Sequence, residues 1–345
     1  MKILITRLAE GERLSKMEWK TLIAEGTPES DEILFSEARA VRHRYYGHDI
    51  YIRGLIEITN YCKNDCLYCG IRRSNCRAER YRMTEEQILS CCALGYRLGF
   101  RTFVLQGGED PFFTDDRIVE VLRAIKKAYP ECAVTLSIGE KPAESYARFR
   151  EAGADRYLLR HETANRMHYG KLHPPELSFD HRRECLRILK SLGYSVGAGF
   201  MVGSPGQTAD CLAEDMLFLQ ELQPQMVGIG PFIPHHDTPF AAEPRGSMEL
   251  TLRMLALTRL LLPKVLLPST TALGSIDPAG RIRGILAGGN VVMPNLSPED
   301  VREKYLLYDN KAFVGLEAAE SLERLKEQMA SAGYRVVVDR GDPAL

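Results

Sequence analysis

The stretch Tyr51-Ile-Arg-Gly-Leu-Ile-Glu-Ile-Thr59 is a short apolar run of the kind that forms a buried strand. Seven further runs of this kind follow it, and most are separated by amphipathic patterns of helical period. The predicted strands are 51–59, 102–105, 133–137, 156–159, 195–201, 226–229, 265–267 and 290–293. The predicted helices between them include 84–98, 116–129, 145–152, 180–192, 211–222 and 249–261.

This alternation of strands and helices is typical of a parallel sheet built from βαβ units, so the sequence predicts an α/β fold. A core of about 250 residues favours a (β/α)8 TIM barrel over an open, doubly wound sheet. We expect a helical N-terminal extension at 1–50, the barrel at 51–310 and a short α/β addition at 311–345. The last two strands are the weakest predictions, because Pro263, Pro268 and Pro294 crowd them.

The composition argues against several classes of protein. The 345 residues carry 45 basic and 46 acidic side chains, a net charge of −1, so nothing indicates a nucleic-acid partner. No apolar run approaches the roughly 20 residues that a membrane span needs, and Met1 to Leu8 do not resemble a secretory signal. Nine cysteines in such a chain favour thiolate chemistry in a reducing compartment, and we expect a cytoplasmic protein.

Polar and glycine-rich residues follow the predicted strands at their carboxyl ends. In a barrel these ends meet at one rim, where the active site of such folds lies. The segments concerned are 60–62, 106–110, 160–163, 201–207 and 230–236. The sequence therefore predicts an active site at this rim.

Three cysteines, Cys62, Cys66 and Cys69, lie within eight residues of each other after the first predicted strand. A loop with this compact spacing can wrap a metal centre. Three cysteines do not complete a four-cysteine zinc site, but on a cluster of four irons they leave one iron open. Two alternatives remain: a zinc site completed by Cys76, and a redox pair of Cys66 and Cys69, which leaves Cys62 unexplained.

The spacing Cys-x3-Cys-x2-Cys, with the aromatic Tyr68 before the third cysteine, resembles the radical S-adenosylmethionine (SAM) enzymes. The resemblance implies a [4Fe-4S] cluster held by the three cysteines, whose open iron binds the amino and carboxylate groups of SAM. It also implies that one electron from the cluster cleaves SAM and yields a 5′-deoxyadenosyl radical. The cofactor then supplies the chemistry, while the protein supplies orientation and a dry cavity.

Longer motifs resemble one group of these enzymes, the HydE-type maturases of [FeFe]-hydrogenase. These motifs are YRMT at 81–84, LQGGEDP at 105–111, RYLLRHETAN at 156–165, GAGFMVG at 197–203, MVGIGPFIPH at 226–235, PSTTALG at 268–274 and NVVMPN at 290–295. The resemblance implies an enzyme that acts in assembly of the di-iron subcluster of the hydrogenase. The implied partners are an iron–carbonyl–cyanide species or another small molecule as substrate, an electron donor, and other hydrogenase maturases.

The resemblance also implies which residues contact SAM. The residues that match are Gln106, Gly107, Gly108 and Glu109 for the methionine part, Glu162 for the ribose hydroxyls, Arg182 for the carboxylate, and Tyr68, Met201, Met226 and Tyr305 as further contacts. A carboxylate accepts well from a vicinal diol, and a guanidinium group can pair with a carboxylate through two bonds. Taken alone, Glu162 is equally compatible with helix capping, and Arg182 with a solvated helix face.

A second set of residues indicates an anion site inside the barrel. Arg156 and Arg160 are four residues apart, so an extended strand points both to the same face. Two like charges that face the lumen are costly unless an anion neutralises them. Together with Thr135, Thr270 and Thr271, they form the expected substrate site. The alternative is that the arginines form ion pairs with Asp155 or Glu162, or point outward to solvent.

Other functions remain open. After Cys211 the chain has no cysteine, so it lacks the late cysteines with which some relatives bind an accessory cluster, and we expect one cluster per chain. A biotin-synthase-like enzyme needs cysteines inside the barrel, and the predicted strands offer none there. A mutase similar to 3-methylornithine synthase shares the single cluster and much of the SAM pocket. A non-enzymatic metal scaffold, the remaining alternative, would leave SAM intact.

Overall fold

The computed structural model describes residues 1–312 and 318–344, so parts of the addition predicted at 311–345 lie outside the described residues. The N-terminal part is helical, with α1 at Lys2–Ala9, α2 at Lys16–Ala24 and α3 at Pro28–Tyr46. The side chains of Ser15 and Thr27 cap α2 and α3, because each accepts a hydrogen bond from a backbone N–H in the first turn.

The described residues form nine strands. They are β1 (Asp49–Ile52), β2 (Gly54–Thr59), β3 (Thr102–Gly107), β4 (Ala133–Ser137), β5 (Arg156–Leu158), β6 (Ser195–Val202), β7 (Met226–Pro231), β8 (Val291–Val292) and β9 (Arg335–Val337). Strands β2 to β7 lie side by side in sequence order, and every pair is parallel. Their carboxyl ends therefore meet at one edge.

Helices separate the strands and cover them. They are α4 (Glu85–Arg97), α5 (Asp115–Ala128), α6 (Ala143–Glu151), α7 (Arg166–Leu172), α8 (Phe179–Ser191), α9 (Ala209–Leu222), α10 (Met248–Leu261), α11 (Thr271–Ile276), α12 (Gly280–Leu286), α13 (Glu299–Arg302) and α14 (Ala318–Ser331). In α5 the buried residues Ile118, Val121, Leu122 and Ile125 follow helical spacing and join the strand side chains in one core. Helices α2 and α3 pack on α9 and α10.

Backbone pairing continues beyond β7 and returns to β2. Parallel bridges join Met226 to Leu266, Pro268 to Val291, and Asn295 to Leu55. These bridges complete a ring of eight strand positions, and the predicted α/β fold with its parallel sheet is confirmed. The strand predicted at 265–267 is reduced to isolated bridging, because Pro263 and Pro268 flank it and have no N–H to donate.

The C-terminal residues cover the end of the barrel opposite to the rim. Strand β9 pairs with Asp49–Tyr51 at the start of the first strand. Arg156, at the start of β5, donates to the carbonyl oxygen of Arg340 (2.9 Å) and pairs with Asp342 (2.6 Å). The rim at the other end is left for the site. Among the described helices, none combines the length and the apolar character needed to cross a membrane.

Candidate active site

A cavity of about 330 Å³, partly open to solvent, lies at the carboxyl ends of the strands. Its wall contains all three cysteines of the loop after β2. The charged side chains in the wall are Glu109, Arg160, Glu162 and Arg182. The described wall thus combines three thiols, two carboxylates and two guanidinium groups around one space.

Polar contacts, most of them partly buried, hold the loop that carries the cysteines. The Arg80 guanidinium donates to the carbonyl oxygens of Ile71 (2.9 Å) and Arg72 (2.6 Å). The Asp65 carboxylate accepts from Arg72 Nε (2.8 Å) and from the backbone N–H of Ser74 (3.0 Å). A loop lacks the regular backbone hydrogen bonds of a helix or a sheet, and these bonds fix its conformation instead. The three thiols are therefore held on one side of the cavity.

Burial raises the pKa of all three thiols, and that of Cys66 reaches about 12. The free thiols are therefore protonated at neutral pH, and a metal that binds them must displace their protons. One contact already favours a thiolate, since the backbone N–H of Glu109 lies 3.4 Å from Cys62 Sγ and donates to it.

Gly108, after β3, occupies a position where only glycine fits. A Cβ there would lie 2.2 Å from the carbonyl oxygen of Tyr61 and 2.7 Å from the Cβ of Cys62. The backbone after β3 therefore packs directly against the cysteine loop, with no side chain between them.

Two carboxylates order the wall beside the cysteines. Glu109 accepts from the backbone N–H of Glu140 (3.0 Å) and pairs with Lys63 (3.2 Å). Glu140 pairs in turn with Arg182, which also donates to the carbonyl oxygen of Arg160 (3.1 Å). Arg182 is only 8% exposed. The alternative that Arg182 lies on a solvated helix face is therefore wrong.

Two tyrosines in the wall are fixed by neighbours. Tyr68 stands edge-on to His173, with its hydroxyl 3.3 Å from Nε2. Burial lowers the pKa of His173 to about 3, so this imidazole is neutral. Tyr305 is buried, and its hydroxyl lies 3.4 Å from Gln106 Nε2, which donates to it. Both rings thus have a fixed position at the cavity.

The ion pair of Glu57 and Lys311, which no sequence pattern indicated, holds the backbone of Tyr305. Lys311 Nζ donates to Glu57 Oε1 (2.6 Å) and to the carbonyl oxygen of Tyr305 (2.9 Å). Glu57 points into the barrel and also accepts from Asn295 (2.8 Å). Burial raises the pKa of Glu57, and the charge of Lys311 opposes that rise. The two partners are 254 residues apart, so no local pattern connects them.

We expect Lys311→Met to destabilise the fold by about 3–5 kcal/mol, because it leaves the Glu57 carboxylate buried without its counter-ion. The free energy of unfolding of the metal-free protein in urea measures this. Lys304→Met is the matched control, since Lys304 pairs with the exposed Glu79 (2.6 Å) and should cost at most about 1 kcal/mol. Equal losses of unfolding free energy in the two variants would show that the buried pair stabilises the fold no more than the exposed pair does.

Most of the predicted site residues line the cavity. They are Cys62, Cys66, Tyr68, Cys69, Gln106, Gly107, Gly108, Glu109, Arg160, Glu162, Arg182, Met201, Thr270, Thr271 and Tyr305. Cys76 is exposed and lies outside this wall, which removes the support for a zinc site completed by it.

Three predicted residues lie elsewhere. Arg156 pairs with the C-terminal tail, and Met226 contacts the buried Arg53 at 2.9 Å. Thr135 is buried in β4, away from the cavity wall. The prediction that Arg156 and Arg160 form one anion site needs correction, because four residues of extended chain separate them by about 13 Å. Arg160 instead forms the alternative ion pair, 3.1 Å from Glu162.

The cavity wall fits the groups that the cysteine motif implies. Thr270 Oγ1 and Arg160 Nε are buried without a hydrogen-bond partner among the described residues. Such atoms are costly to bury unless a ligand satisfies them. Three thiols suit a cluster with one open iron, and the unpartnered donors beside them suit a polar or anionic ligand.

Comparison with known proteins identifies relatives of this chain. Residues 56–219 match the model of the Radical SAM superfamily. The [FeFe] hydrogenase maturase subunit HydE of Thermotoga maritima is 52% identical over 284 residues, which cover 82% of this chain and 81% of that protein.

Two further relatives are methylornithine synthases. The 3-methylornithine synthase of Methanosarcina barkeri is 32% identical over 307 residues, which cover 88% of this chain and 85% of that protein. The crystal structure of methylornithine synthase (PylB) superposes with a TM-score of 0.85 at 29% identity and covers 97% of each chain.

Proposed function

This chain belongs to the radical SAM superfamily and, within it, to the HydE-type maturases, and from this premise we propose how its site acts in hydrogenase assembly. It is an enzyme whose family uses a [4Fe-4S] cluster and SAM. The observation that carries the proposal is the single cavity that three thiols share with Arg160 and Arg182. Its partners are an electron donor, other hydrogenase maturases and the substrate that this cavity accepts.

Cys62, Cys66 and Cys69 are the residues that would hold the cluster. When bound, the cluster supplies the single electron that cleaves SAM. The chain itself contributes three sulfur atoms whose positions are fixed by the bonds of Arg80 and Asp65. Because three thiols of the described residues face the cavity and no fourth one does, one metal position is left for SAM.

Arg182 and Glu162 would orient SAM from opposite ends of the molecule. The guanidinium group of Arg182, held by Glu140, can pair with the SAM carboxylate through two bonds. Glu162 can accept hydrogen bonds from the ribose hydroxyls while Arg160 balances its charge. The bare backbone at Gly108 lets the methionine part approach the strand end closely.

The substrate is an anion or carries an anionic group. The carboxylates in the cavity wall are Glu109 and Glu162, and each already pairs with a cation, Lys63 or Arg160. Both carboxylates of the described wall thus already have a counter-ion, which disfavours the ammonium groups of a diamino acid as ligands. Arg160 Nε and Thr270 Oγ1 have no hydrogen-bond partner among the described residues and offer donors beyond the Arg160–Glu162 pair, which suits an iron–carbonyl–cyanide species.

The proposal is tested with anaerobically reconstituted protein, SAM and a strong reductant. We expect about four irons per chain, as one cubane requires, and release of 5′-deoxyadenosine. Added to a lysate that lacks its own HydE-type maturase but contains the other maturases, the protein should restore hydrogen evolution by [FeFe]-hydrogenase. Protein without its cluster is the control and should restore nothing.

The methylornithine synthase relatives define the competing result, since their fold matches across almost the whole chain. If the protein cleaves SAM, leaves the hydrogenase inactive and forms 3-methylornithine from supplied amino acids, it is a mutase. If it binds iron and leaves SAM intact, it is a scaffold. Clearly more than one cubane per chain would contradict the single-cluster prediction.

A further inference from the structure

Glu162 lies in a backbone turn that is rare for a residue with a side chain. Its φ is +65°, and the N–H of Thr163 donates to the carbonyl oxygen of His161 at 2.8 Å. A three-residue turn with positive φ at its centre is the strained form of the γ-turn. Such strain costs of the order of 1–3 kcal/mol and persists only where the surroundings fix it. Contacts with neighbouring residues must therefore hold Glu162 in this turn, at the cavity wall.

Two fully buried residues hold the turn: His161, which precedes Glu162 in the chain, and Asp215 on α9. Both side chains are at most 1% exposed. His161 Nε2 lies 3.1 Å from Asp215 Oδ1, and the backbone N–H of Ala164 donates to the same oxygen. Asp215 therefore binds the residue before Glu162 and the second residue after it. These two bonds fix the chain on both sides of the strained position.

The bonds also fix which nitrogen of His161 carries the proton. The backbone N–H of Gly199 on β6 points at His161 Nδ1 (3.3 Å) and can only donate, so Nδ1 accepts. The proton is then on Nε2 and is donated to Asp215. Burial lowers the pKa of His161 to about 3, which keeps the ring neutral. Phe200 and Phe218 pack against the ring, with their centroids 5.8 Å and 4.8 Å from its own.

We propose that Asp215 and His161 are positioning residues that hold Glu162 in its strained turn, so that its carboxylate meets the ribose hydroxyls of SAM. This inference rests on the proposed function, which gives Glu162 its ligand. Neither residue lines the cavity, so both act through Glu162 and not by touching SAM. The acceptor oxygen of Asp215 is the essential feature, because it receives both bonds.

Two substitutions of Asp215 separate this role from simple packing. Asp215→Leu removes the acceptor, whereas Asp215→Asn keeps an oxygen at the position of Oδ1 and should rescue. The readouts are the equilibrium Kd of SAM without reductant, and the ratio of Kd values for SAM and an analogue that lacks the 2′-hydroxyl. We expect Asp215→Leu to weaken SAM binding by at least about tenfold and to lose discrimination between the two ligands.

Asp215→Asn should stay within about threefold of the unmodified protein in both readouts, since it keeps the bonds. Glu221→Leu also replaces a carboxylate with leucine, at an exposed position of α9, and should alter neither. If Asp215→Leu does not fold, His161→Met and His161→Gln test the same hydrogen bond by changing its other partner. The glutamine variant keeps a donor for Asp215, and the methionine variant does not.

Glu162→Gln separates failure of this inference from failure of the proposed function. If Glu162→Gln loses discrimination while Asp215→Leu and His161→Met keep it, the two residues do not position Glu162. If Glu162→Gln keeps full affinity and discrimination, Glu162 does not bind the ribose, and the positioning role is overturned with it. Cleavage of SAM by the unmodified protein decides the proposed function independently of both results.

Discussion

Replacing Cys69 with alanine should reduce release of 5′-deoxyadenosine by at least about 1,000-fold, the scale of loss when one member of a cooperating set of catalytic groups is removed. Cys69 lies in the cavity wall with Cys66 and Cys62, and two thiols do not suffice to hold a cubane by three of its irons. The measurements are iron per chain and 5′-deoxyadenosine formed with SAM and a reductant, both without oxygen.

Cys76→Ala is the matched control for this experiment. Cys76 follows Cys69 by seven residues, is exposed, and lies outside the cavity, so its loss should change neither iron content nor cleavage. If Cys69→Ala kept its activity and Cys76→Ala lost it, the ligand set would be wrong. If every iron of the cluster proved to be ligated by protein atoms in the unmodified protein, SAM would have no iron to bind.

Local patterns in the sequence were sufficient to predict the frame of the site. The strand predicted at 133–137 and β4 coincide, and the cysteines and Glu109 follow β2 and β3 as expected. Such patterns succeed because strand ends are set by short apolar runs and the turns that follow them. In a parallel sheet this alone brings the carboxyl ends together.

The position of a side chain along the barrel axis, and the partner that it meets there, could not be predicted in the same way. Periodicity places Arg156 and Arg160 on one face but does not say that the C-terminal tail supplies a partner for Arg156 at the other end. The pairs Glu57–Lys311 and His161–Asp215 join residues 254 and 54 positions apart. Ion pairs and hydrogen bonds of this kind arise from packing of distant elements, so no local pattern predicts them.

Gly108→Ala should lower SAM cleavage by about 100-fold, which is the cost of a misplacement of about 1 Å at a reacting centre. The new Cβ would lie 2.2 Å from the carbonyl oxygen of Tyr61 and 2.7 Å from Cβ of Cys62. Both atoms belong to the cysteine loop, and neither is the flexible end of a side chain. The loop must therefore move, and Cys62 moves with it. Steady-state rates of 5′-deoxyadenosine formation measure the effect, with iron per chain as the second readout.

Gly170→Ala is the control for this substitution. Gly170 lies in α7, and nothing beyond the backbone of its own helix comes within 4 Å of the place that a Cβ would take. Alanine should therefore fit there and add about 0.5–1 kcal/mol of helix stability. Loss of activity in Gly108→Ala alone then assigns the effect to the contact with the cysteine loop. Full activity in Gly108→Ala would mean that the loop moves without cost, and the close approach of Gly108 to Cys62 would not position the metal ligands.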